Sequence, residues 1–75
     1  MSTLAERIRQ ARESVGMSQA ELARHIGASA NGLNMLETGR IHNPRILRIV
    51  ALAHALKVSS DFLLGIDTKD NKDAV

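Results

Sequence analysis

Signals that start and stop helices recur at short intervals along this chain, and they constrain its fold more than any other feature. Thr3 and Glu6 form a capping-box pattern, in which each side chain can satisfy a free backbone N–H at a helix start, and Ser18 and Glu21 repeat it. Glycines able to end helices in the left-handed conformation follow at positions 16, 27, 39 and 65. The spacing leaves room only for short helices.

Apolar residues at helical spacing fill the intervals between these signals. We predict a first helix from Thr3 to about Val15, a second of about eight residues between Ser18 and Gly27, and a third between residues 29 and 39. No segment shows the strict alternation of a half-buried strand. The first part of the chain is therefore predicted to be entirely helical.

The second part of the chain is also predicted to be helical. Asn43 before Pro44 is typical of a cap followed by the first helical residue, and the helix that it opens runs to about Lys57. This fourth helix is apolar almost all round, so we expect it to be the central, most buried element. A fifth helix begins at Ser59 or Ser60. The predicted fold is all-α with five helices.

Composition limits the organisation of the chain. In a domain of this length the core hides only about 60% of the surface that the unfolded chain exposes. We predict one domain over residues 1–66 and a polar, disordered tail over residues 67–75. The absence of cysteine excludes disulfides, thiolate nucleophiles and cysteine-based zinc sites. No apolar run approaches the roughly 20 residues of a membrane span, so we predict a cytoplasmic protein.

Charge is distributed unevenly. Residues 1–57 carry eight Lys and Arg against four Asp and Glu, whereas residues 58–75 carry two against four. A basic body suits a polyanion such as DNA, although an ordinary solvated surface is the alternative. Phe62 is the only aromatic residue, and proteins that bind single strands usually stack bases on several aromatic rings. Duplex DNA is therefore the favoured polyanion.

The second and third helices are joined by three small residues, Gly27-Ala28-Ser29. Two short helices that cross at about 90–120° form a helix-turn-helix. The apolar residues Leu22, Ile26, Leu33 and Leu36 fall on inward positions, and the outer face of the third helix is left with Ala30, Asn31, Asn34 and Met35. A helix mounted in this way can enter a major groove, although helical bundles in general contain such corners.

Several positions together resemble the Cro/C1-type helix-turn-helix family, also called the XRE family, to which phage repressors belong. The resemblance is carried by Ser18-Gln-Ala-Glu-Leu-Ala, Ile26-Gly27, Leu33 and Leu36-Glu37-Thr-Gly39, and also by Pro44 and the run from Ala55 to Leu64. It covers residues 4–65. It implies a five-helix, lambda-repressor-like domain that binds a pseudo-palindromic operator as a homodimer and regulates transcription, most often as a repressor.

The resemblance also implies which residues touch the DNA backbone. Gln19 matches a glutamine that contacts a phosphate and braces the third helix, a double task that suits an amide with two donors and an acceptor. Ser18 matches a helix cap that often touches phosphate. The loop after the third helix supplies the remaining expected phosphate contacts, Arg40, His42, Asn43 and Arg45.

Base reading is expected at Ala30, Asn31 and Asn34, with Met35 beside them. The sequence is less polar here than the family pattern, since alanine and methionine can only pack on groups such as a thymine methyl. Asn31 is the best candidate for hydrogen-bonded readout, bidentate to adenine. Gly32 within the helix costs about 1 kcal/mol relative to alanine. It either allows close approach to DNA or weakens the helix.

Two further expectations concern structural contacts, and the resemblance implies the first of them. Arg12 and Glu37 match an ion pair that ties the first helix to the end of the third and has a structural role. Candidate dimer contacts lie near the last helix, at Phe62, Leu63, Leu64 and Ile66. No cofactor or metal is expected, because the three histidines, at positions 25, 42 and 54, are scattered among different elements.

Other functions are weighed against operator binding. An enzyme needs converging reactive groups, which the sequence does not bring together. An antitoxin that masks a toxin protein and binds its own promoter shares this fold, so the fold alone does not separate the two. The chain is also compatible with the DNA-binding part of a longer ancestral repressor. The sequence does not specify the operator, the regulated genes or an inducer.

Overall fold

The computed structural model of the chain describes residues 3–65 and contains five α-helices joined by short loops. They are α1 (Leu4–Ser14), α2 (Gln19–Ile26), α3 (Ala30–Glu37), α4 (Ile46–Leu56) and α5 (Ser60–Leu64). This part of the chain has no strand, and none of its helices is long and apolar enough to cross a membrane. The five-helix, all-α fold predicted from the sequence is confirmed.

Both capping boxes are present. Glu6 N donates to Thr3 Oγ1 over 3.2 Å, and Thr3 N donates to Glu6 Oε1 over 2.9 Å. Glu21 N donates to Ser18 Oγ over 3.1 Å, and Ser18 N donates to Glu21 Oε1 over 2.9 Å. The hydroxyls of two more serines cap α3 and α5: Ser29 and Ser59. Each cap stabilises its helix by about 1 kcal/mol, because it satisfies an N–H that has no partner within the helix.

The start of α4 differs from the prediction. Helical backbone begins at Ile46 rather than at Pro44, and Arg45 occupies the N-cap position without a side-chain hydrogen bond to the first turn. Asn43 therefore does not cap this helix. The chain remains non-helical through Arg45, while Ile41 packs against the core between α3 and α4. Tertiary packing of the loop has overridden a local start signal.

Side chains from all five helices meet in one core. The largest of those that are fully buried are Ile8, Leu22, Leu33, Leu52, Leu56 and Leu63. Burying a side chain of this size stabilises the fold by about 1.5–3 kcal/mol. The core lies behind α2 and α3 and holds them together, so the outer face of α3 is left free.

The prediction that α4 is the central, most buried element holds for only one of its faces. One face packs on α1, α2 and α5 through Ile49, Leu52, Ala53 and Leu56. The other face leaves Ile46 64%, Leu47 79% and Val50 41% exposed. A small domain has too few elements to cover a helix on every side.

The position of Leu63 on α5 rules it out as a dimer contact. Leu63 is 0% exposed because α5 packs its side chain against α1 and α4, so it cannot touch a second copy. Phe62 is half-buried, and the Arg7 guanidinium lies 5.3 Å from its ring centroid. Leu64 is exposed, whereas Ile66 and the tail over residues 67–75 lie outside the described residues.

Candidate nucleic-acid interface

A tight turn sets the angle between α2 and α3. Gly27 has φ 71° and ψ 29°, a left-handed conformation that costs an ordinary L-residue about 1–2 kcal/mol. Ala28 N donates to Ala23 O over 2.9 Å and closes the end of α2. Leu22 and Ile26 from α2 then bury against Leu33 and Leu36 from α3. Together α2 and α3 form a helix-turn-helix whose apolar faces are buried in the core.

The outer face of α3 carries the four residues proposed to read bases. Ala30, Asn31 and Asn34 are exposed, and Met35 is half-buried. Asn31, Asn34 and Met35 are spaced i, i+3 and i+4, so they lie on one side of the helix. Within residues 3–65 neither asparagine amide makes a side-chain hydrogen bond. Both amides keep donors and an acceptor for an outside partner.

Gly32 lies in the first turn of α3, three residues after the cap. A Cβ at this position would lie 3.2 Å from Ser29 Oγ, the hydroxyl that accepts the Gly32 N–H over 2.9 Å. This contact is close, but Glu6, Glu21 and Phe62 carry side chains at the equivalent position behind the caps at Thr3, Ser18 and Ser59. The cap of α3 therefore does not require a glycine.

The expected pairing of Arg12 with Glu37 is present and joins α1 to the end of α3. Arg12 Nε donates to Glu37 Oε2 over 2.7 Å, and Arg12 Nη2 donates to Oε1 over 3.1 Å. Arg12 Nη1 also donates to Met17 O over 2.8 Å. Glu37 is 5% exposed, and its hydrogen bonds raise the pKa of Arg12. The bidentate pair fixes the orientation of α3 relative to α1.

Gln19 completes this joint, because its Nε2 donates to Glu37 Oε1 over 3.1 Å. The glutamine is half-buried at the first residue of α2, where it braces the end of α3. The hydroxyl of Ser18 accepts from Glu21 N as the cap of α2. Both residues therefore have structural partners at a helix start, and their contact with phosphate stays a prediction.

The loop over residues 38–45 lies beside α3. Arg40 N and Ile41 N both donate to Met35 O, over 2.9 and 3.2 Å, which keeps the loop against the end of the helix. The side chains expected to reach phosphate, Arg40, His42, Asn43 and Arg45, are all exposed. None of them makes a side-chain hydrogen bond or ion pair with another residue in the described range 3–65.

The exposed charges of residues 30–45 are all positive. Between residues 30 and 45 the only carboxylate is that of Glu37, which is buried and paired with Arg12. The outward charges of the same segment belong to Arg40 and Arg45. Because this carboxylate is buried, residues 30–45 present no exposed negative charge to an approaching polyanion.

Two arginines that sequence reasoning missed hold the helices around this surface. Arg48 Nη1 donates to Ile26 O over 2.8 Å and so ties α4 to the end of α2. Arg7 Nη1 donates to Phe62 O over 3.0 Å and ties α1 to α5. Arg48 could have been noticed as the only arginine or lysine within an apolar helix, whereas Arg7 and Phe62 are 55 positions apart and no local pattern connects them.

The described residues contain no group of three or more His, Cys, Asp or Glu side chains that could hold a metal ion. The three histidines lie on α2, in the loop before α4 and on α4. The geometry of α2, α3 and the following loop offers a protruding helix with a basic border. Its chemistry is that of binding a polyanion.

Known proteins match this geometry closely. A helix-turn-helix family model matches residues 8–63. The P22 c2 repressor, solved with a synthetic operator, is 31% identical with a TM-score of 0.82 over 89% of this chain and 100% of that chain. SinR, a master regulator for biofilm formation that was solved with DNA, is 31% identical with a TM-score of 0.78 over 81% of this chain and 97% of that chain.

A third match is the restriction-modification controller protein C.AhdI from Aeromonas hydrophila. It is 30% identical with a TM-score of 0.76, over 81% of this chain and 91% of that chain. The alignment covers between 91% and 100% of the chain of each of these three proteins, so the likeness spans a whole domain. With its family-model match over residues 8–63, the chain belongs to the Cro/C1-type helix-turn-helix family of DNA-binding transcription regulators.

Proposed function

We propose that this protein is a transcriptional repressor that binds a specific duplex operator as a dimer, with α3 in the major groove. The observation that carries the proposal is the charge arrangement over residues 30–45. The one carboxylate of that segment, on Glu37, is buried and paired, while two arginines and the unpaired amides of three asparagines face outwards. A surface of this kind attracts DNA and has groups left over to read it.

The exposed groups have two different tasks, to contact phosphates and to read bases. Arg40, His42, Asn43 and Arg45 border α3 and contact phosphates, together with Ser18 and Gln19 at the start of α2. These contacts place the helix on the duplex but carry no sequence information. Asn31 and Asn34 hydrogen-bond to base edges, with Asn31 bidentate to adenine, and Ala30 and Met35 pack on thymine methyl groups.

Dimeric binding sets the form of the operator. Two copies on one face of B-DNA reach successive major grooves, so we expect two half-sites about 10–10.5 base pairs apart. The structures of the P22 c2 repressor and SinR with DNA support the assignment of the ligand. A regulator of this kind works in the cytoplasm, where it meets its operator.

The test begins with selection of bound duplexes from a random library. On the recovered sequence we expect Asn31→Ala to weaken binding by about 1–3 kcal/mol, with little change on random DNA, because a base contact is lost and phosphate contacts remain. Arg40→Ala and Arg45→Ala weaken binding to all duplexes, and each flattens the slope of log affinity against log salt by about 1.

Lys57→Asn is the matched control for charge, because it removes a cation from the far end of α4. Its salt slope stays near that of the unaltered protein. Unchanged slopes for the two arginine variants would remove the phosphate assignment. Equal losses of Asn31→Ala on both kinds of DNA would make Asn31 a positioning residue. Failure to recover any sequence would overturn the proposed function.

An antitoxin is the second candidate, because a protein of this fold can also bind a protein partner, as the relative SinR does in its complex with the protein SinI. Such a protein binds both a toxin and its own promoter. Purification of the tagged chain from its native host distinguishes the two functions. A second polypeptide at equal molar ratio supports the antitoxin, and a homogeneous chain that retains specific DNA binding supports the repressor.

A further inference from the structure

Asn31 and Gly32 form the only Asn-Gly pair of the chain, and they lie in the first turn of α3. The other asparagines precede methionine, proline and lysine. In an Asn-Gly pair the backbone nitrogen of the glycine can attack the side-chain amide of the asparagine, because the glycine has no Cβ to hinder the approach and its backbone rotates freely. The pair is therefore a candidate site of spontaneous covalent change.

Both reacting groups of the pair are available. Asn31 is exposed, and its side-chain amide makes no hydrogen bond to another residue within 3–65. The N–H of Gly32 belongs to the first turn of α3, where N–H groups have no backbone partner within the helix. It is held by the 2.9 Å hydrogen bond that it donates to Ser29 Oγ. Breaking that bond frees the attacking nitrogen.

The first turn of α3 must open before the two groups can react. In the closed helix the ψ angle of Asn31 is fixed near its helical value, whereas ring closure needs this bond to rotate. The first turn of α3 is held less firmly than those of α1 and α2, which begin with reciprocal capping boxes, because Ser29 caps α3 without a carboxylate in the first turn. Gly32 weakens the helix further. Such helix ends open locally at far lower cost than the whole domain unfolds.

We propose that Asn31 is a self-modification site, at which deamidation ends specific DNA binding by this protein. The nitrogen of Gly32 forms a bond to Asn31 Cγ, the bond from Cγ to the amide nitrogen breaks, and ammonia leaves with the proton that Gly32 N has lost. Water then opens the cyclic imide at one carbonyl or the other. The products are aspartate and isoaspartate, and in the second the backbone runs through the side-chain carbonyl carbon.

Both products alter the DNA-reading face, and this part of the inference rests on the proposed function. Aspartate adds a carboxylate to residues 30–45, which have no exposed negative charge, and this carboxylate repels phosphate. It also lacks the amide donor that a bidentate contact with adenine needs. Isoaspartate lengthens the backbone and disrupts the first turn of α3. Bound DNA holds this turn closed, so the free protein is modified and the bound protein is spared.

The first test follows the modification without DNA. The purified chain is incubated in mildly alkaline buffer, and peptide mapping by mass spectrometry follows the conversion of each asparagine and the formation of isoaspartate. We expect conversion of Asn31 and far less of Asn34 and Asn43, the second of which precedes a proline that has no N–H. Gly32→Ala should slow the conversion at least about fivefold, because alanine makes the open helix end rarer and its Cβ hinders ring closure. Equal rates at Asn31 and Asn34, or an unchanged rate in Gly32→Ala, overturn the inference.

The second test asks whether the first turn of α3 opens locally. Ser29→Ala removes the cap that holds Gly32 N and should speed the conversion about fivefold, the factor that corresponds to the loss of one serine cap. Ser59→Ala is the matched control, because it removes the serine cap of α5 and leaves α3 unchanged. Its conversion rate should stay that of the unaltered protein. Equal acceleration by both variants would mean that the reaction requires unfolding of the whole domain, and it overturns the inference.

The third test measures the consequence for DNA binding. Asn31→Asp should lose at least about tenfold in affinity for both the selected operator and random DNA, because its carboxylate faces phosphates, whereas Asn31→Ala keeps its affinity for random DNA. Saturating operator should slow the conversion of Asn31. If an operator is recovered but Asn31→Asp binds it as tightly as the unaltered protein does, the inference fails and the proposed function stands. If no operator is recovered, the proposed function fails, and the rates of the first two tests still decide whether Asn31 modifies itself.

Discussion

The two halves of the domain are held together by different kinds of interaction. In residues 3–39 each helix start has a side-chain cap, and a buried carboxylate joins three elements through Arg12, Gln19 and Glu37. In residues 45–65 α4 begins without a side-chain cap and ends at Lys57, which has φ 59°. Ser59 caps α5, and single hydrogen bonds from Arg48 and to Phe62 O tie α4 and α5 to the first half, but no ion pair is buried there and part of the apolar surface of α4 stays exposed.

This difference matches two separate requirements. Hydrogen bonds of 2.7–3.1 Å at the α1–α3 joint are directional, so they fix how α3 projects from the domain. Apolar packing has no preferred direction and adapts to shape. The half that contains α3 is therefore held mainly by directional contacts, whereas the half that contains α4 depends more on the packing of apolar side chains.

The largest expected effect comes from breaking the α1–α3 joint. Glu37→Leu leaves the Arg12 guanidinium without its carboxylate at a site that is 13% exposed, and we expect a loss on the order of 3–5 kcal/mol. DNA binding falls as well, because α3 loses its tie to α1. Thermal unfolding measures the first effect, and titration with the selected duplex measures the second.

A double-mutant cycle is the control for this prediction. Arg12→Met combined with Glu37→Leu recovers much of the stability, since apolar side chains of similar size avoid the cost of removing charges from water. Additive losses, with no coupling between the two positions, would contradict the role of the pair and erase the main contrast between the halves.

The next effect concerns the helix starts of the two halves. Ser18→Ala removes the cap of α2 and should cost about 1 kcal/mol, whereas Arg45→Ser offers α4 a cap that it lacks and should gain about half as much. Denaturant unfolding of both variants gives the two values. Changes of opposite sign would support the difference between the two halves, and a loss of stability in both variants would show that α4 gains nothing from a cap at position 45.

The helix ends give a similar contrast of smaller size. Lys57 is the only non-glycine residue with positive φ among residues 3–65. Lys57→Gly should stabilise the domain, because the left-handed conformation costs an L-residue about 1–2 kcal/mol and the extra flexibility of glycine costs only about 0.5–1 kcal/mol. At the end of α2 the left-handed position is already a glycine, so Gly27→Ala should destabilise. Melting temperatures that move in the same direction for both variants would contradict this account.

The smallest expected effect is a dependence on pH that belongs to the first half. Hydrogen bonds from the backbone of Thr3 and Ser18 lower the pKa of Glu6 and Glu21 below the usual 4.5. A folded pKa below the unfolded one means that the stabilisation is present above pH 4.5 and is lost as pH falls through the folded values.

Glu6→Gln and Glu21→Gln test this dependence, because glutamine keeps an acceptor for the capping box but does not titrate. Melting curves recorded between pH 3 and pH 7 should show a smaller acid loss for these variants than for the unaltered protein. Asp61→Asn, in the first turn of α5, is the control from the second half. If only Asp61→Asn reduced the loss of stability at low pH, the titrating group would lie in the second half, and the prediction would be contradicted.

Most of the fold of the first half could be predicted from the sequence. The caps at Thr3 and Ser18 and the turn at Gly27 were placed correctly, because each acts on backbone groups within about four residues. The pairing of Arg12 with Glu37, 25 positions apart, came from the family resemblance and not from any local pattern. The roles of the exposed residues in binding DNA stay predictions.

The errors fall in the second half, where no local rule decides the outcome. Asn43 and Pro44 have the pattern of a helix start, yet the helix begins at Ile46. Leu47 and Leu63 are the same amino acid on helices, but one is 79% exposed and the other is fully buried. Where most helices begin and end follows from the local sequence, because caps and glycines act on neighbouring backbone. Which apolar faces are covered follows from the tertiary structure, because burial depends on what other helices place beside them.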